Sequence, residues 1–497
     1  MAKITTIIDI GSNSARMAIF QKTSRYGFHL IHELKSKVRI SEGSYEHDSY
    51  LQPQAMARAL NALKEFKKVS DSLKSRKLIC VATSALRDAP NKAEFIARVK
   101  KECGIAIKVI DGTKEAYYGA LACANLLHEK SGVTIDIGGG STELACIENG
   151  VIQTMVSLNL GSIRLKELFF DHNNMQEAYK YVRKYVKEHI KDIKAFCASS
   201  SFMKNLNVFG IGGSIRAYAK YEMDLESYAF NFLHGYELCV ENILEHLETI
   251  THASNEWLLE SGFEEGRIDS IRPGLLILQV ILEELSAKKL IISGVGVREG
   301  AFLNDMLRYH HGKIPNNINP SVRSLQDIFL TSLDDSKTIS KHTKTLFNLL
   351  KEPYDLEDSH LQALQVASKL YNIGANFNFY QAHKHSAYIA LHSLHYGFGH
   401  KERYTIATLL ESSHKKRPKI ITQTLENLLP EHDALQILSF IFALSVALAK
   451  EKKIAIEFRD YTLSIGIHAL PLQQALKEIV LPRLEEYPRL GFIVNEI

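Results

Sequence analysis

Asp9-Ile10-Gly11-Ser12-Asn13-Ser14 and Asp136-Ile137-Gly138-Gly139-Gly140-Ser141 are two versions of one pattern, Asp-Ile-Gly followed by two short residues and a serine. Each closes an apolar segment, Ile4–Ile10 or Val133–Ile137, and turns directly into another, Met17–Gln21 or Thr142–Ile147. One such glycine turn is most simply a plain β-hairpin. Two copies that share the aspartate, the glycine and the serine predict an internal duplication, with two hairpins facing each other across a cleft. Glycine lets a backbone come close enough to a small anion for several N–H groups to converge on it. Ser12, Asn13, Ser14, Gly138, Gly139, Gly140 and Ser141 are therefore candidate phosphate contacts. Asp9 and Asp136, at the strand ends, are candidates to hold Mg²⁺ directly or through its waters, since this ion takes only one or two carboxylates.

Working outward, Phe28–Glu33 and Val38–Ile40 extend the first hairpin as further antiparallel strands. Ala55–Leu73 and Phe95–Cys103 have helical spacing, and Leu78–Ala82 and Ile105–Ile110 are apolar strands. Strands alternating with crossover helices predict an α/β lobe. Lys114–Leu127, rich in alanine, reads as a helix joining two such lobes. A third glycine turn, Gly210-Ile-Gly-Gly-Ser214, adds Gly212, Gly213 and Ser214 to the phosphate candidates, and a fourth, Ser293–Gly300, follows the strand Leu290–Ile292. The turn-rich stretch Gly312–Pro320 opens a mainly helical region that ends in strand patterns at Ile454–Arg459 and Tyr461–Ile467. The expected divisions are a first lobe at 1–122, a second at 123–312 and an α-rich domain at 313–497.

The 497 residues carry 60 Lys and Arg against 56 acidic residues, a formal charge of +4, with 45% hydrophobic residues. No tract is basic enough to imply nucleic-acid binding, and the composition is that of a globular protein rather than a disordered one. The start runs into a strand pattern without the apolar core of a signal peptide. The longest apolar stretch, Ala434–Ala449, is shorter than a bilayer span and reads as a core helix. A cytoplasmic protein without membrane association is the expectation. The six cysteines show no Cys-x-x-Cys spacing and read as buried free thiols in a reducing compartment.

In order and spacing, Asp9–Ser14, Asp136–Glu143, Gly210–Ser214 and Ser293–Gly300 resemble the phosphate loops of the exopolyphosphatase/guanosine-pentaphosphate phosphatase family. Ala82-Thr-Ser-Ala-Leu-Arg-Asp88, Asp111-Gly-Thr-Lys-Glu-Ala116 and Arg272-Pro-Gly274 match it as well, so the resemblance runs by motif from Ile8 to Gly300 and more weakly beyond. It implies two actin-like, ribonuclease H-like lobes around a cleft, and an activity that removes terminal phosphate from inorganic polyphosphate, from pppGpp, or from both. It also implies a homodimer and a C-terminal domain like the HD phosphohydrolases.

The resemblance places the catalytic glutamate at Glu115, where the residues alone favour an ordinary first-turn glutamate held by the helix dipole. It supports Asp136 and Glu143 as metal and water ligands, and Thr83, Ser84 and Arg87 as contacts to the phosphate chain. A planar guanidinium suits that last task. Lys35, Lys37 and Arg39 share a strand face by alternation and either line an anion track or protect an edge. Arg164, Arg216, Arg267 and Arg298 are weaker candidates. In the C-terminal domain Tyr371-Asn372 stands where an active HD domain has His-Asp, so no second metal centre is expected despite His360, His383, His385, His392, His395, His400 and His414. His432-Asp433 reads as a helix start with Asp433 at the N-cap. Two rivals on the same fold are an ATP-dependent sugar or acetate kinase and an ATP-switch protein that binds partners.

Overall fold

The computed structural model describes residues 3–44, 47–172, 174–201, 203–413, 423–451, 454–467, 476 and 490–496. The chain divides into two units, Met1–Lys22 with Phe28–Asn317, and Thr23–Gly27 with Ile318–Ile497.

In the first unit, β1 (Lys3–Ile10), β2 (Ala15–Lys22), β3 (Phe28–Ser36), β4 (Lys77–Ala82) and β5 (Ile107–Val109) form a sheet of order β3-β2-β1-β4-β5. The first three strands are antiparallel, and β4 and β5 add in parallel. A second sheet contains β6 (Gly132–Ile137), β7 (Thr142–Glu148), β8 (Val151–Leu158), β9 (Asn207–Gly212), β10 (Glu237–Cys239) and β11 (Lys289–Ile292) in the order β10-β11-β9-β6-β7-β8. Without the edge strand β10, it repeats the first sheet strand for strand and direction for direction. The duplication seen in the two Asp-Ile-Gly stretches is a duplication of whole sheets, and the lobes are actin-like. The central strands are covered on both faces, which is why Ile7 as well as Ile8 and Ile10 on β1, and Thr134 as well as Val133 and Ile135 on β6, are all buried.

The helix Gly112–Leu126 links the lobes, and Asp111 caps it by accepting from the Lys114 N–H at 2.6 Å. A second helix, Val297–Met306, leaves β11 and returns to the first lobe. There Phe302 packs against Phe20 and Phe28, with ring centroids 4.5 and 4.9 Å apart. Losing such a buried ring costs roughly 3–5 kcal/mol, so this contact pins the helix start, with Arg298 and Glu299, beside the cleft. Gly300 makes the crossing possible: a Cβ there would lie 1.9 Å from the Tyr118 carbonyl oxygen.

Val38–Ile40 does not form the expected fourth strand. β3 ends at Ser36 and Arg39 takes a left-handed conformation with φ 43°. The Arg39 and Ser41 amides instead donate to the carbonyls of Asn13 and Ser12 at 2.8 and 3.3 Å, bracing the first glycine turn. Of the cysteines, Cys103 is half-buried and Cys239 exposed, while the other four are buried as expected.

The second unit is helix-rich. Pro320–Phe329, Asp334–Leu350, Asp358–Leu370, Ala382–Ser393, His400–Ser412 and His432–Ala447 pack around Phe347, Leu364, Ile406 and Phe440. β12 (Ala455–Arg459), β13 (Thr462–Ile467) and β14 (Gly491–Glu496) form a small sheet, its first two strands at the expected places. The apolar stretch near Ala434 is a buried helix, and among the described residues no helix is long and apolar enough to cross a membrane. Asp433 is not the cap: Glu431 holds that position, and Asp433 lies exposed in the first turn. The segment Tyr371-Asn372 follows the end of the Asp358–Leu370 helix, with Asn372 at φ 70°. His414 lies outside the described residues.

Candidate functional site

The two glycine turns are built alike. The Gly11 amide donates to the Ser14 carbonyl at 3.1 Å, and the Gly138 amide to the Ser141 carbonyl at 2.9 Å. They also meet: a Cβ on Gly139 would lie 2.9 Å from Ser12 Cβ and 3.7 Å from the Asn13 nitrogen. Between and beside them is a cavity of about 380 Å³.

Of the catalytic, metal and phosphate-turn candidates, Asp9, Ser12, Asn13, Ser14, Thr83, Ser84, Glu115, Asp136, Gly138, Gly139, Gly212, Gly213 and Ser214 line it. Ser12 and Ser84 are joined at 3.1 Å between their hydroxyls. Gly212 has φ 102°, and a Cβ there would meet the Ile137 carbonyl at 2.7 Å, so glycine is required on both counts. Gly140, Ser141, Glu143 and Arg87 stand behind this lining. Arg87 donates through one guanidinium nitrogen to Glu115 Oε2 at 3.1 Å and through the other to Ser141 Oγ at 3.5 Å. Glu143 lies opposite Asp136 in the β6–β7 register and accepts from Ser157 Oγ at 2.8 Å.

Burial raises the carboxyls of the site. Burial pushes Asp9 up to about 6 against the pull of Arg298 and Arg16. It pushes Asp136 up to about 6 as well, against Arg216 and Arg16. Glu115 is raised well above the usual range by burial and by the Glu143 charge, with Arg87 opposing. Glu143 is raised by burial and Asp136, against hydrogen bonds from Ser141 and Ser157. Buried carboxyls with little compensation are receptive to a cation or a proton. Asp9 Oδ1 is buried without a hydrogen-bond partner, as fits a ligand or water-mediated ligand of a divalent ion. Among the described residues no group of three or more His, Cys, Asp and Glu is gathered for a metal, so an ion here would keep most of its waters.

The same cavity carries a basic wall of Arg16, Arg216, Arg267 and Arg298, together with Lys35 and Lys37. Burial and the neighbouring Arg16 and Arg298 lower Arg216 to about 10, and its Nε has no partner. Arg298 pairs with Glu33, and despite burial the carboxylates of Glu299, Glu33 and Asp9 hold it above the usual range. Clustered guanidiniums that repel one another are a receptor for a polyanion.

The strand face expected for Lys35, Lys37 and Arg39 breaks up. Lys35 and Lys37 line the cavity, but Arg39 turns away to pair with Asp269 at 2.8 Å. Arg164 bridges the lobes, donating to the Gly140 carbonyl at 3.0 Å and to Asp88 at 2.9 Å. Arg16 and Glu299 were missed. Arg16 left a signal: it is the lone charge between Ala15 and Phe20, and its register partner is Asp9. Glu299 left none beyond its place in the fourth glycine turn.

Comparison with known proteins gives a consistent picture. The model of the Ppx/GppA phosphatase family matches residues 18–309, and that of Ppx/GppA phosphatase domain III matches residues 319–478. The chain is 30% identical over 310 residues to a bifunctional 3-dehydroquinate synthase/phosphatase of Fusobacterium nucleatum, a match covering 60% of this chain and 46% of that protein. It therefore spans about half the length of that curated relative. A Ppx/GppA family member from Aquifex aeolicus is similar at 29% identity and a TM-score of 0.52, over 63% of this chain and 100% of that one. An exopolyphosphatase from Cytophaga hutchinsonii shares the fold with a TM-score of 0.55 at 22% identity, over 61% of this chain and 98% of that one.

Proposed function

The chain belongs to the Ppx/GppA phosphatase family, and from that premise we propose that it hydrolyses the terminal phosphoanhydride bond of inorganic polyphosphate, of pppGpp, or of both. The observation that carries this reading is the gathering of charge in one cavity, where Asp9, Asp136 and Glu115 and the cations Arg16, Arg216, Arg267 and Arg298 line the same paired glycine turns. A linear phosphoanhydride needs such a site, because its anionic oxygens must be held while its end meets a base.

The amides and hydroxyls of the turns at Ser12–Ser14, Gly138–Gly139 and Gly212–Ser214 bind the phosphoryl oxygens, and the arginine wall holds the rest of the anion. Glu115 is the base. Its desolvated carboxylate accepts the proton of the attacking water, and Arg87 orients it through the 3.1 Å contact. Glu143 orients groups behind Asp136. Asp9 and Asp136 would hold Mg²⁺, which when bound supplies neutralising charge to the phosphoryl oxygens. The protein is cytoplasmic and works as a homodimer in this proposal.

The test is Mg²⁺-dependent phosphate release from long-chain polyphosphate, pppGpp, ATP and GTP by the chain and by its Glu115→Gln variant. Release from polyphosphate or pppGpp that collapses in the variant supports the reaction and its base, and the ratio ranks the substrates. ATP binding with negligible turnover, and no release from either phosphoanhydride, would favour a nucleotide switch instead.

A further inference from the structure

Ser157 takes no part in the reaction described above, yet its surroundings are more restrictive than a strand serine requires. It lies on β8 directly opposite Glu143 in the β7–β8 register, and its Oγ donates to Glu143 Oε1 at 2.8 Å. On its other side is Gly112, the first residue of the helix that carries Glu115. A Cβ on Gly112 would fall 2.2 Å from Ser157 Oγ and 2.3 Å from Ser157 Cβ, distances that real side chains do not show. The hydroxyl therefore sits in a socket, with the Glu115 helix as one wall and the Glu143 carboxylate as the other. The same point of Gly112 is 3.9 Å from the Arg87 guanidinium that holds Glu115, so the supports of both glutamates converge here.

We propose that Ser157 is a positioning residue for phosphoanhydride hydrolysis, its hydroxyl fixing the Glu143 carboxylate against the start of the helix that carries Glu115. The inference rests on the reading of the cleft given above. The terminal torsion of a glutamate is broad and roughly two-fold, so a carboxylate without a fixed donor has no defined plane. With Ser141 on the same carboxylate, the Ser157 hydroxyl held between Gly112 and Glu143 completes the pair of donors that defines that plane. Alanine at 157 removes the donor and leaves the strand pairing intact. The phosphate contacts on the other turns and the arginine wall do not touch Ser157, so substrate binding is independent of it.

The experiment compares the full chain with Ser157→Ala and Ser157→Thr in steady-state phosphate release from polyphosphate and pppGpp, alongside thermal unfolding. Orienting partners of this kind are worth about 10–100-fold in activity, and a loss of that size in kcat is expected for Ser157→Ala. KM and the unfolding midpoint should stay unchanged, and Ser157→Thr, which keeps the hydroxyl, should recover most of kcat. Wild-type kcat in Ser157→Ala would overturn the proposal. So would a rise in KM with kcat intact, or an activity loss that tracks a lowered unfolding midpoint. An unaltered chain that releases phosphate from neither substrate would instead overturn the reading of the cleft, and this inference with it.

Discussion

The hairpins β1–β2 and β6–β7 have the same turn, the same register and the same place in their sheets, but opposite electrical roles. Asp9 faces Arg16 across the first, and Asp136 faces Glu143 across the second, at equivalent positions. The first hairpin thus offers a cation to the cleft, and the second sets a further carboxylate behind its lining. Their turns differ in a matching way. Ser12 brings its side chain and Asn13 its backbone nitrogen to the interface, and Gly139 brings bare backbone to receive them. The two halves of the duplicated scaffold thus differ at this matched position, with a cation beside the aspartate in one and a second carboxylate in the other.

Glu115 stands between the halves, so its loss should have the largest effect. Glu115→Gln should lower kcat by about 10²–10⁴-fold, the usual contribution of a positioned base. A variant that keeps its activity would move the base elsewhere.

The matched positions should then separate kinetically. Arg16→Met removes a charge-assisted contact worth roughly 1.5–3 kcal/mol and should raise KM by about tenfold or more. Glu143→Gln should instead lower kcat with KM little changed. The same kinetic signature in both variants would erase the distinction between the halves.

Asp9 should show a stability effect opposite in sign to its effect on activity. Its folded value, about 6, lies above the ordinary 3.8, so between those values the folded chain binds more protons than the unfolded one. The stability this contributes is present below 3.8 and is lost as pH rises through about 6. By the upward shift of Asp9, the loss in metal-free buffer is roughly 3 kcal/mol. Asp9→Asn should therefore melt higher than the parent at neutral pH without divalent ions, while releasing phosphate more slowly. Melts on acidification should show the difference shrinking; a constant difference would refute the burial argument.

The smallest effect separates the turns themselves. A methyl on Gly11 meets only the Ser14 carbonyl, at 3.4 Å, whereas one on Gly139 meets Ser12 Cβ at 2.9 Å and Ile163 at 3.3 Å. Gly11→Ala should leave activity almost unchanged and Gly139→Ala should reduce it, measured as kcat/KM on polyphosphate. Equal losses would mean that the halves do not meet where the contact distances put them.

The chain's local chemistry determined the hairpins, the aspartates at their ends and the joining helix, expected from Lys114 and found from Gly112. In each case one short stretch carries both the apolar run and the turn residue that stops it. Asp136 was legible as a strand-end carboxylate for the same reason, whereas Glu115 was singled out only by the resemblance of its motif. Val38–Ile40 was misread because apolar alternation does not say whether a backbone will pair with a strand or, as at Arg39 and Ser41, with the carbonyls of a turn. Arg16, Arg298 and Glu299 come from segments far apart in sequence and meet only through register and the crossing held by Phe302 and Gly300. The socket around Ser157 is likewise a matter of where Gly112 lies. Strand ends and turns are local events and can be read from the sequence. The charge that each cleft position presents depends on partners brought together by packing, and only the tertiary structure decided it.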